Sequence, residues 1–76
     1  MAKNSTFGTV IRRIRLEQGL SQESLAELLD METNAYISRL ENGKKQPSLE
    51  MVYKISRALQ VNAWEIVKEI EETKEV

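Results

Sequence analysis

The chain contains no cysteine and no histidine. Without cysteine, neither a disulfide framework nor a thiolate metal site can hold the fold together. Without histidine, the commonest general base and the commonest zinc ligand are both missing. No run of about 18 apolar residues exists that could span a membrane. The opening Met1-Ala2-Lys3-Asn4-Ser5-Thr6 also lacks the apolar stretch of a secretory signal. A cytoplasmic chain is expected. No glycine-rich loop that could cradle phosphate is present, and no catalytic constellation can be assembled, so neither an enzyme nor a metal or cofactor is expected. The closing Glu71, Glu72 and Glu75 read as solvated residues.

What is present suits one small globular unit. A length of 76 residues allows a single core, and 41% apolar content separates the chain from disordered sequences. Residues 1–76 are therefore taken as one domain. Net charge is −1 and the isoelectric point about 5.5, whereas nucleic-acid-binding domains are often strongly basic. The charge is unevenly spread. Residues 1–45 hold seven Lys/Arg against six Asp/Glu, and residues 46–76 hold four against six. Any surface for an anionic polymer must be a local patch.

Five helical segments can be read from periodicity and punctuation, and no stretch alternates with the period of a strand. The expected fold class is all-α. The first helix runs from about Phe7 to Gln18, with Thr6 as N-cap, Phe7, Ile11 and Ile14 inward, and Gly19 as a left-handed stop. The second runs from Gln22 to about Leu29 behind Ser21, with Glu23 against the positive end of its dipole. Leu25, Leu28 and Leu29 form its inward face, with Ala26 beside them. Asp30-Met31-Glu32 leads to a third helix from about Asn34 to Glu41, capped by Thr33 and stopped by Asn42-Gly43. A basic loop, Lys44-Lys45-Gln46-Pro47, precedes a fourth helix from Ser48 to about Leu59, with Leu49, Val52, Ile55 and Leu59 inward. In the fifth, ending near Glu72, Asn62 and Glu65 make a capping-box-like pair, and Val61 and Ile66 sit at staple positions. Met31 and Met51 read as core filler.

Two short helices joined by a tight turn, second and third among five, have the layout of a helix-turn-helix. The stretch SQESLAELLDMETNAYISRLENGKKQPS resembles the phage-repressor and Cro (Xre-type) DNA-binding domains. Its matching features are Arg15, Gln22, Leu25-Ala26, Ile37, Leu40, Glu41-Asn42-Gly43-Lys44 and Pro47-Ser48-Leu49, and the likeness extends from about Val10 to Val67. It implies a regulator that binds double-stranded DNA through the third helix, and it pairs Arg15 with Glu41 structurally. It also implies that Ile66 and Val67 are buried at the start of the last helix. Small phage repressors, restriction–modification controller proteins and antitoxins share this plan.

With Ile37 and Leu40 turned inward, Asn34, Ala35, Ser38 and Arg39 face outward toward a major groove. Arg39 suits guanine, Asn34 adenine, and Ala35 a thymine methyl. Gln22, Lys44, Lys45, the Gly43 backbone and Arg12 are candidate phosphate contacts, with Thr33 and Asn42 at the same edge. The alternative for the Lys44-Lys45 pair is a solvated loop, but its place between two helix ends beside the third helix favours phosphate contact. Tyr36 either packs across the turn or meets the DNA edge. One departure stands out: Asp30 occupies the place of the family's usual turn glycine, and one extra residue, placed at Glu32, lies between Gln22 and Gly43. Asp tolerates positive φ, so the turn is possible. The register of base contacts depends on it.

A dimer on a palindromic operator is expected, since one recognition helix covers only a few base pairs. Residues 62–72 are the candidate dimerisation helix, with Trp64, Val67 and Ile70 as a second apolar stripe. Trp64 could instead fold back onto the first or fourth helix, and Val67 could serve the core. A protein-interaction module on the same fold is the competing reading, and the acidic isoelectric point favours it.

Overall fold

A computed structural model describes residues 6–73. The helices are α1 (Phe7–Glu17), α2 (Gln22–Leu28), α3 (Ala35–Glu41), α4 (Leu49–Ala58) and α5 (Ala63–Thr73). No strand occurs among the described residues. The α1 helix packs on α3 and α5, α2 packs on α3, and α4 packs on α5. Between them lie Val10, Ile11, Leu25, Ile37, Leu40, Ile55, Leu59 and Ile66, all essentially inaccessible to solvent. Removing these side chains from water is the main favourable contribution to so small a fold.

Four helices end in one backbone shape. In each, a left-handed residue after the C-cap donates its N–H three residues back, and the next residue donates five residues back. The left-handed positions are Gly19 (φ 73°), Asp30 (φ 63°), Gly43 (φ 75°) and Gln60 (φ 61°). Their five-residue bonds run from Leu20 to Arg15 (3.0 Å), Met31 to Ala26 (2.9 Å), Lys44 to Arg39 (2.9 Å) and Val61 to Ser56 (3.0 Å). Leu20, Met31 and Val61 each tuck against the core after their turn. Lys44 does not; it stays exposed. Asp30 thus adopts the conformation a glycine would supply, and α2 ends as it would with glycine.

Several local expectations shift. The α3 helix begins one residue later than expected: Asn34, not Thr33, is the N-cap, and it makes no side-chain cap bond. Thr33 instead accepts from the Ala35 N–H at 3.3 Å. Before α5, the Glu65 N–H donates to the Asn62 carbonyl at 3.0 Å, and no reciprocal side-chain bonds form between these two. Leu28 and Leu49, both assigned inward, are exposed, and so is Val67, which the family resemblance would bury.

Gly8 marks a close approach of two helices. A Cβ there would overlap the carbonyl group of Leu40, so α1 and α3 touch backbone to backbone at this crossing. Nearby, the Gln18 side chain donates to the Leu59 carbonyl at 2.6 Å, tying the end of α1 to the end of α4.

Candidate nucleic-acid interface

A chain of polar side chains organises the α2–α3 end. Arg15, buried in α1, meets Glu41 in a bidentate contact: Nε donates to Oε2 at 2.8 Å and Nη2 to Oε1 at 2.9 Å. Its third nitrogen, Nη1, donates to the Leu20 carbonyl at 2.7 Å. Hydrogen bonding to Glu41 raises the Arg15 pKa above its ordinary value, outweighing the opposing effect of burial. Glu41 also accepts from Gln22 Nε2 at 3.0 Å and has exposed Arg12 at 3.9 Å. No buried side-chain polar atom among the described residues lacks a partner.

Gln22 passes this order onward. With its nitrogen on Glu41, its oxygen faces Asn34, whose Nδ2 donates to it at 3.3 Å. The same Nδ2 donates to Glu23 Oε2 at 3.0 Å. Gln22 is therefore turned inward between two partners. Asn34 is held at the start of α3 rather than standing free on its outer face. Glu23, read from sequence only as a dipole partner, is the residue that was missed. Its contact spans 11 positions, and no local signal announces it.

The remaining α3 positions divide by exposure. Ala35 and Arg39 are exposed, and Ser38 is half-buried, with its hydroxyl accepting from Asn42 Nδ2 at 3.4 Å. Arg13 and Arg15 are paired with carboxylates, and Arg12 lies near one. The Arg39 guanidinium has no such partner among the described residues. From Asn42 to Leu49 the sequence contains no acidic residue. Arg39, Lys44 and Lys45 are all exposed at this edge. Tyr36 is half-buried against the core and burial pushes its phenol pKa up, while Lys45 Nζ stands 5.9 Å from its ring centre.

At the α4–α5 end, Trp64 and Val67 are exposed at 59% and 47%. Ile70, expected beside them, is half-buried against the core. Steps of three residues lag the helical repeat by about 60° each, so the stripe winds off the surface and delivers Ile70 to the core face. The exposed pair joins α4 residues instead. Leu49, Tyr53, Trp64 and Val67 line one apolar groove together with half-buried Val52 and Val61.

No group of carboxylates among the described residues is arranged to hold a metal ion. None of their helices is long and apolar enough to cross a membrane.

Comparison with known proteins agrees with this geometry. Residues 11–63 match a family model described as helix-turn-helix. The control protein C.MunI of Mycoplasma sp is 39% identical over 66 residues, covering 86% of this chain and 88% of that protein. The restriction-modification controller protein C.AhdI from Aeromonas hydrophila superposes with a TM-score of 0.73 at 35% identity, over 79% of this chain and 89% of that one. SinR, a master regulator for biofilm formation solved in complex with DNA, gives a TM-score of 0.74 at 28% identity, over 82% of this chain and 98% of that one. With its α2–turn–α3 unit intact despite the aspartate in the turn, the chain belongs to the helix-turn-helix family of DNA-binding transcriptional regulators.

Proposed function

We propose that the chain is a cytoplasmic, sequence-specific regulator that binds a palindromic operator as a homodimer. The observation that carries the reading is the exposed Arg39 fork, which pairs with no carboxylate among the described residues and precedes Lys44 and Lys45 in the acid-free stretch 42–49. Arg39 suits bidentate recognition of guanine, Ala35 a thymine methyl, and Ser38 either donor or acceptor. Lys44, Lys45, Asn42 and Arg12 supply sequence-independent contacts to phosphate. Thr33 lies at the same edge, and Tyr36 stiffens it by packing beneath Lys45.

Dimerisation supplies what one short helix lacks. A second copy covers the α4–α5 groove around Trp64 and Val67, and none of the residues lining that groove belongs to α2 or α3. Pairing there leaves both recognition helices free for half-sites about 34–36 Å apart. A net charge of −1 makes nonspecific binding weak, so affinity depends on the two half-sites together. Selection from random duplex DNA tests the reading directly. An inverted repeat should be enriched; failure to enrich any duplex would overturn it and leave a protein-interaction module on the same fold.

A further inference from the structure

We propose that Glu23 is a positioning residue that fixes the polarity of Asn34, so that Asn34 meets its base only as a hydrogen-bond acceptor. This rests on the DNA-reading function above and adds a prediction of base identity. The direction of each amide in the relay is dictated chemically. A carboxylate accepts but cannot donate, so the Gln22 atom facing Glu41 must be its nitrogen. The Gln22 oxygen then faces Asn34, which must answer with its own nitrogen. Glu23 demands the same nitrogen from the other side. Two carboxylates, one buried and one exposed, thus impose one orientation on both amides.

The consequence falls on Asn34 Oδ1. Both hydrogens of Nδ2 are engaged, while Oδ1 has no partner among the described residues. An asparagine with both ends available pairs bidentately with adenine, accepting from N6 and donating to N7. With its donor engaged, only acceptance remains. Adenine N6 and cytosine N4 both donate in the major groove, whereas guanine O6 and thymine O4 present acceptors that Oδ1 and Glu23 repel. The operator position facing Asn34 should therefore accept adenine or cytosine and reject guanine and thymine.

The test uses the full chain and the duplex enriched from a random pool. Asn34→Ala identifies the relevant base as the position where selectivity disappears, and all four bases are then titrated there. The wild type should bind adenine and cytosine within about threefold of each other and guanine and thymine about tenfold or more weaker. Glu23→Ala releases one Nδ2 hydrogen, and adenine should then exceed cytosine by about tenfold. Glu23→Gln keeps an oxygen for Asn34 and should restore the wild-type pattern. Thermal melting checks that these surface variants remain folded. The proposal is overturned if the wild type already prefers adenine over cytosine about tenfold, or if Asn34→Ala changes no position. It is equally overturned if Glu23→Ala weakens all four bases alike or leaves their ratios unchanged. In each of these cases operator binding itself stands. If no duplex is enriched, the DNA-reading function fails first and takes this inference with it.

Discussion

The two ends of the molecule are ordered by different forces. At the α2–α3 end, side chains are directed by charge and hydrogen bonding, from Arg15 through Glu41 and Gln22 to Asn34 and Glu23. At the α4–α5 end the surface is cut by an apolar groove, with Leu49, Tyr53, Trp64 and Val67 open to solvent. Directional bonds suit a surface that must discriminate among bases, because each donor or acceptor can reject a wrong partner. Apolar contact suits a surface that must gain affinity by area. Polar order should therefore govern selectivity here, and apolar burial should govern assembly.

The largest effect should come from breaking the polar end at its root. Glu41→Ala leaves Arg15 buried without its partner, and chemical denaturation should show a loss of about 3–5 kcal/mol. A double variant, Arg15→Met with Glu41→Leu, should recover much of that stability while still losing base selectivity, since Gln22 would no longer be oriented. Recovery of both would reduce the network to packing. Next, Val67→Glu should give a folded monomer by light scattering, with operator affinity down about 100-fold or more as linked binding is lost. An unchanged dimer would place the interface elsewhere.

Smaller effects sharpen the contrast within the DNA edge. Arg39→Ala should cost about 1–3 kcal/mol at one base position and relax preference there. Lys44→Ala should weaken all sequences alike and reduce the salt slope by about one. If titrations on matched and mismatched operators cannot tell these two variants apart, reading and positioning are not divided as proposed. The smallest effect concerns neither the polar network nor the apolar groove. Gln60→Gly relieves a left-handed non-glycine residue and should stabilise the fold by about 0.5–1 kcal/mol in thermal melting, with operator selectivity unchanged.

Helix content was legible because its signals are local. Thr6, Ser21 and Ser48 cap helices as expected, and Gly19 ends α1 in the left-handed conformation. The pairing of Arg15 with Glu41 entered through family resemblance, with the inward side of α1 agreeing. What escaped depends on angle or on distant partners. From Leu25, about 100° per residue carries Leu29 back to the core side but leaves Leu28 on the opposite flank, a distinction that apolar spacing in a two-turn helix blurs. Gln60 carries no compositional sign of its left-handed turn. The Asn34–Glu23 contact joins separate helices, and the backbone meeting of Gly8 with Leu40 does the same; only a glycine inside a helical pattern hinted at the latter.

That meeting has a consequence for motion. Side chains between two helices can change rotamer and absorb a small displacement, but a carbonyl lodged where a Cβ would stand has no such freedom. The C-terminal end of α3 is therefore coupled to α1 as one rigid piece. Its N-terminal end follows the irregular 32–34 connection and is held there by the side-chain bonds of Asn34 to Gln22 and Glu23, not by backbone contact. Hydrogen exchange should find Leu40 and Glu41 protected up to global unfolding and the amides of residues 32–34 released far earlier. A recognition helix held this way pivots about its far end, so fluctuations are greatest at its leading residues and least at Arg39.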